Sequence, residues 1–191
     1  MKYKMKISKD EINELPTMTF PGKIHLITTK QDALEAAKAL AKHKVLGFDT
    51  ETRPSFKKGE YYDISLLQLA TQSDAYLFRM NLHTLPQEII DLLADPTVIK
   101  AGVAVRDDIK GIQKLYPFDD NSFIDLATIA KEKQFKNFGL RALCAIFLEQ
   151  RLSKRAKITN WEQEKLTKAQ IHYAACDAWA GYRLYNIMSE L

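Results

Sequence analysis

Val45-Leu46-Gly47-Phe48-Asp49-Thr50-Glu51-Thr52 begins apolar and turns polar at its first aspartate. A short apolar run bounded by polar residues reads as a buried central strand, Val45 to Asp49, whose end delivers Asp49. Along a strand, residues two apart point to the same face, so Asp49 and Glu51 present two carboxylates side by side. Two such anions repel unless a cation lies between them, and hard divalent ions such as magnesium take oxygen ligands of this kind. The chain holds 24 Asp and Glu residues, so a chance D-x-E on a solvated strand end competes with a metal site.

Working outward from this strand, the pattern alternates. Before it lie a capping-box signal at Ser8-Lys9-Asp10-Glu11, breakers at Pro16 and Pro21, an extended segment from Lys23 to Thr29, and a helix over 32–42. Residues 1–22 read as an N-terminal extension and 23–191 as a single domain. After it, 63–71 and 75–79 read as two strands joined by a Gln-Ser-Asp turn, followed by a helix over 86–94. Val98 to Val105 reads as another buried strand, running into a helix that starts near Arg106-Asp107-Asp108. Phe123-Ile124-Asp125 is a brief extended piece. Helices are then expected over 126–133, 138–148 and 167–189. A largely β first half followed by helices indicates an α/β three-layer domain rather than a doubly wound nucleotide fold.

Bulk properties agree with an ordinary globular enzyme. The 191 residues are 46% hydrophobic and 27% charged, with only 7 Gly and 6 Pro. A chain of this size buries about 70% of its unfolded surface in one core. Cys144 and Cys176 form neither a CxxC pattern nor a secreted disulfide framework, and no run reaches the roughly 18 apolar residues of a membrane span. A cytoplasmic protein without a membrane partner is the expectation. Net charge is +4, compatible with a polyanionic partner but short of a dense basic stripe.

Two further groups of residues carry chemistry. In Tyr173-Ala174-Ala175-Cys176-Asp177, the phenol and the carboxylate are four residues apart on a helix and differ by only about 40° around its axis, so together they could grip one water. A core tyrosine beside a chance acid is the competing explanation. In Gly102-Val103-Ala104-Val105-Arg106-Asp107-Asp108, carboxylates fall at a helix N-terminus, where capping alone would account for them. A strand end is also a rigid support for a metal site on the same rim as Asp49.

Taken in order, D-x-E, Gly-x5-Asp and Tyr-x3-Asp resemble the three motifs of DEDD-type 3′-5′ exonucleases. More narrowly they are similar to the tyrosine-containing branch, which includes ribonuclease D and the Werner syndrome protein exonuclease domain. The similarity runs from about Lys23 to Leu191. It includes Ile64 to Leu69, Lys100 to Val103, and Thr159-Asn160-Trp161 before Leu166-Thr167. The resemblance implies Asp108 rather than Asp107, since the family's acid falls six positions after the glycine matched by Gly102. His172 precedes Asp177 at the spacing of the histidine branch, but such a pair is rotated by about 140° on a continuous helix, which favours Tyr173.

The resemblance implies a ribonuclease H-like α/β/α domain with a mixed central sheet of about five or six strands. It implies two Mg2+ or Mn2+ ions, held by Asp49, Glu51, Asp108 and Asp177, with Asp49 bridging them and Tyr173 orienting the attacking water. The substrate implied is a single-stranded or recessed 3′ end of DNA or RNA. Thr50 and Thr52 would lie near the terminal sugar, and Leu66 or Leu67 would wedge against the last base. Trp161 is either a stacking platform or a core anchor. Lys154, Arg155 and Lys157 either track phosphates or form a solvated loop. Two other readings stay open: a catalytically silent nucleic-acid- or protein-binding module, and an endonuclease on the same scaffold. No protein partner is specified.

Overall fold

The structure, a computed structural model, describes residues 3–153, 156 and 158–191. Its strands are β1 (Lys23–Ile27), β2 (Val45–Thr52), β3 (Ile64–Ala70), β4 (Asp74–Arg79), β5 (Ile99–Gly102) and β6 (Phe123–Asp125). The helices are α1 (Lys9–Glu14), α2 (Lys30–Leu40), α3 (Gln87–Ala94), α4 (Arg106–Leu115), α5 (Leu126–Glu132), α6 (Leu140–Leu148) and α7 (Lys168–Met188). The strands form one mixed sheet in the order β1-β4-β3-β2-β5-β6. β2 and β4 each run antiparallel to β3, while β1, β5 and β6 join in parallel.

Alternation along the central strands sorts side chains to two faces. Phe48, Leu67, Leu69 and Phe78 pack with α2, α3 and α4 in one cluster. Ala70 and Ala75 pack with α5, α6 and α7 on the other face, and Leu66 and Leu77 meet Tyr173 and Ala174 of α7 there. Every residue of β3 is buried because both of its faces are covered. The chain adopts the expected α/β three-layer architecture, and the sheet expected to have about five or six strands has six among the described residues.

Helix α7 lies unusually close to the sheet. A Cβ on Gly47 would meet the Ala178 carbonyl oxygen at 1.8 Å, and one on Gly181 would meet the Ala101 carbonyl oxygen at 2.4 Å. Glycine at these two positions lets the helix backbone rest on β2 and β5. Thr167 starts α7 with a capping box to Gln170, which fixes where the long helix begins.

Two strand ends depart most from the sequence expectation. β2 continues past Asp49 to Thr52, because β3 pairs with it along that length, with an irregularity between Glu51 and Thr52. β5 ends at Gly102 rather than at Val105, since Ala104 adopts φ 59° and turns the chain into α4; the Ala104 N–H donates to Asp125 Oδ1 at 2.9 Å. The segment before β1 also does more than extend the chain. Ile7, Ile12, Met18 and Phe20 are buried in the α5–α7 cluster, and Thr17 bridges to Arg151. Its few apolar residues carried no periodic signal, so the sequence did not reveal this packing. Lys154, Arg155 and Lys157 lie outside the described residues.

Gly47→Ala is expected to destabilise the fold by about 3 kcal/mol, at the upper end of overpacking effects, because backbone rather than a yielding side chain stands in the way. Urea unfolding monitored by circular dichroism checks this, and an unchanged midpoint would contradict the close approach.

Candidate active site

β2 and α7 supply the centre of the site. Asp49 and Glu51 point to the α7 side of the sheet, and the contact at Gly47 brings Asp177 and Tyr173 down over them. One carboxylate oxygen from each of Asp49, Glu51 and Asp177 lies within 4.8 Å of the others. The sequence-expected acids of the opening strand and the last helix therefore converge. The donor set is all oxygen and all anionic, which fits a hard divalent cation.

Asp108 does not join this trio at that separation. It stands in the first turn of α4 and accepts a hydrogen bond from the Thr50 hydroxyl. Thr50 faces the layer opposite to Asp49 and Glu51, so its hydroxyl ties α4 to the same stretch of β2. Its backbone N–H donates to Asp49 Oδ1 at 2.9 Å. Burial is the main reason the Asp108 carboxyl is raised above the ordinary aspartate range; the Thr50 hydrogen bond works against it, and nearby Asp107 and Asp125 add to it. Asp107 itself is exposed.

Tyr173 is buried, and its phenol is pushed well up, first by burial and then by the negative charge of Asp177 and Glu51. A hydrogen bond with Asp177 also holds its proton in place. His172 takes another direction: its Nδ1 lies 3.5 Å from Cys176 Sγ, one turn further along α7, and it is absent from the acidic trio. The geometry thus separates the tyrosine from the histidine.

The expected apolar wedge from Leu66 or Leu67 is corrected by the structure, and of the two readings open for Trp161 the core anchor is the one it adopts. Leu66, Leu67 and Trp161 are each 0% exposed, so none offers a face to a base. Leu66 and Leu67 belong to a strand covered on both sides. Trp161 packs against Tyr173, with ring centroids 6.1 Å apart. Its loop is fastened from below by the buried Arg79 guanidinium, which donates to the Gln163 carbonyl at 2.6 Å and the Glu164 carbonyl at 3.3 Å. Trp161 is a core anchor that backs the phenol. Thr52 is half-buried at the end of β2.

A cleft of about 690 Å³ opens over the trio and is lined by Thr50, Tyr173, Ser153, Ile158 and the start of α6. Arg141, in the first turn of α6, lines it too, and sequence reasoning missed it. Arg141 Nη2 donates to Asn13 Oδ1 at 2.6 Å, so the N-terminal segment braces a cation on the cleft wall. The N-cap of α6 is Gly139, which makes no side-chain cap. Gly-Leu-Arg at an uncapped helix start was the available signal, since such a terminus favours anions.

The family model described as 3′-5′ exonuclease matches residues 24–191. The chain belongs to that family. Its motifs place it in the tyrosine-containing branch of these nuclease hydrolases, a divalent-metal-dependent group, and the silent-module reading is not favoured. It is 30% identical over 189 residues to the mouse bifunctional 3′-5′ exonuclease/ATP-dependent helicase WRN, covering 94% of this chain and 14% of the mouse protein. It is 28% identical over 201 residues to an Arabidopsis thaliana 3′-5′ exonuclease, covering 97% of this chain and 70% of that protein. In structure, the Aedes aegypti Nibbler EXO domain aligns with TM-score 0.81 at 24% identity, over 91% of this chain and 92% of that one. Escherichia coli RNase D aligns with TM-score 0.80 at 21% identity, over 87% and 44% of the two chains. These two likenesses establish the shared ribonuclease H-like fold.

Because the folded-state pKa of Asp108 lies above its value in the unfolded chain, its ionised form costs stability above that pKa, and the cost fades as the pH falls through it. In EDTA, Asp108→Asn is therefore expected to raise the melting temperature at neutral pH, with the gain shrinking as the buffer is acidified. A difference that is zero or independent of pH would contradict the buried, charged state of this residue.

Proposed function

We propose that this exonuclease hydrolyses the terminal phosphodiester at the 3′ end of a DNA or RNA strand and releases nucleoside 5′-monophosphates. The observation that carries the reading is the convergence of Asp49, Glu51 and Asp177 within 4.8 Å, at the floor of a cleft that also holds Tyr173. Three carboxylates at that separation repel one another in the absence of a cation. Asp49, Glu51 and Asp177 would hold one Mg2+ or Mn2+, with Asp49 shared with a second that Asp108 supports directly or through water. Bound there, a pair of such ions would acidify the attacking water and neutralise charge on the leaving oxygen.

The chain's own groups then divide the remaining work. Tyr173 keeps its proton at neutral pH, because burial and the neighbouring acids push its phenol up. It acts by holding and orienting the attacking water, and it is too weak an acid to serve as a general base. Asp177, one turn away, receives the phenol's hydrogen bond and fixes its direction. Thr50 keeps Asp108 in place through its hydroxyl, and Thr50 and Thr52 lie near the terminal sugar. Arg141 and the start of α6 place positive potential on the wall of the cleft, suited to a phosphate. A cytoplasmic location belongs to the same proposal.

The test uses 5′-labelled DNA and RNA oligomers with Mg2+ or Mn2+ and with EDTA. A ladder shortening stepwise from the 3′ end, abolished by EDTA, is expected; internal cuts or intact strands would refute the reading. Asp49→Ala and Asp177→Ala are each expected to lower the rate by at least about a thousandfold, since the missing charge stabilisation amounts to several kcal/mol. Tyr173→Phe is expected to slow cleavage by roughly a hundredfold, as loss of one positioned hydrogen-bonding group does, with metal affinity retained. Loss of metal binding in Tyr173→Phe would make the water-orienting role wrong.

A further inference from the structure

Gln68 stands in the middle of β3 and is 0% exposed, and neither its amide nitrogen nor its amide oxygen has a hydrogen-bond partner among the described residues. No other described residue has two such buried, unpaired side-chain atoms. A buried amide in this condition costs stability, because it gives up its bonds to water and gains none in return. An apolar side chain of the same size would fill the space without that cost. Positions that break a local rule in this way gather at functional sites.

The register of the sheet shows what the amide faces. Gln68 lies directly opposite Asp49 across the β2–β3 pair and opposite Leu77 across the β3–β4 pair. Residues directly opposite one another share a face, with Cβ atoms about 5 Å apart, so Gln68 points with Asp49 toward α7. Along its own strand, its neighbours on that face are Leu66 and Ala70. Of these four, Asp49 alone is polar. Two polar residues stand on the diagonals, Glu51 and Arg79. The Arg79 guanidinium is already committed, donating to Asn81 Oδ1 and to the Gln163 and Glu164 carbonyls. Within the sheet, the amide is thus enclosed by apolar or committed groups on every side except toward the acids.

We propose that Gln68 is a positioning residue for the acidic trio: with a divalent ion bound, its amide N–H donates to the Asp49 carboxylate and holds it in its ligating orientation. The Thr50 N–H already donates to Asp49 Oδ1 from within β2, and Gln68 supplies a second donor from the neighbouring strand. A partner that touches the ligand rather than the ion raises metal affinity by fixing the ligand's direction. Being neutral, an amide does so without cancelling the negative charge that attracts the cation. Pairing the amide on loading also removes the cost it carries in the metal-free protein, so the stability given up there returns as affinity. The inference rests on the reading of Asp49, Glu51 and Asp177 as metal ligands.

The test is Mn2+ binding followed by titration calorimetry, on wild type, Asp49→Ala, Gln68→Met and Gln68→Leu. The two Gln68 variants keep the volume and remove the amide, and melting temperatures in EDTA are measured beside them. Both are expected to melt at or above the wild-type temperature in EDTA and to bind Mn2+ about tenfold more weakly, as loss of a group that orients a ligand does. Wild-type affinity in either variant, with binding lost in Asp49→Ala, would overturn the positioning role and leave the metal site standing. Lower melting temperatures in EDTA for both variants would show that the amide stabilises the metal-free fold, and would overturn it as well. Wild type without Asp49-dependent Mn2+ binding would remove the metal site and the inference together.

Discussion

The site depends on how closely one helix lies on the sheet. Backbone meets backbone where α7 crosses β2 at Gly47 and β5 at Gly181, and the buried Ala174, Ala175, Ala178 and Ala180 leave no bulky side chain to hold the helix away. That contact forces Asp177 and Tyr173 toward Asp49 and Glu51. Left to electrostatics, these acids would separate. Apolar packing of α7 on both sides, against the sheet and against α5 and α6, keeps the repelling groups together. The fold thereby holds a preorganised anionic site whose repulsion a bound cation relieves.

Around this contact the neighbouring layers have supporting roles. Thr50 reaches through β2 to the opposite layer and holds Asp108. Trp161 backs Tyr173, and Arg79 secures the Trp161 loop from within the sheet. Asn13, far from the motifs in sequence, steadies Arg141 on the cleft wall. The candidate groups on the opening strand, the α4 start and the final helix are thus braced by residues of the neighbouring layers and of the Trp161 loop.

Much of this was legible in the sequence. The 45–49 run and the period-2 spacing of Asp49 and Glu51 announced a central strand with two acids on one face. The four-residue interval between Tyr173 and Asp177, with no break in between, announced a shared helix face, and α7 is continuous through it. What escaped was tertiary. The resemblance implied a wedge from Leu66 or Leu67 and left Trp161 open between stacking platform and core anchor, because a sequence does not say which face a second layer of helices will cover. Arg141 escaped for the converse reason: it is remote from every motif, and only folding brings α6 to the cleft. The early end of β5 turned on a left-handed alanine, Ala104, a conformation that residue type does not announce.

Divalent ions located by anomalous scattering, in crystals soaked with Mn2+ and a nucleoside 5′-monophosphate, test the central claim most directly. The account predicts an anomalous peak within coordination distance of Asp49, Glu51 and Asp177 together, and a second beside Asp49 on the Asp108 side. Peaks confined to other acidic surfaces, with this trio free of metal at saturating Mn2+, would contradict it.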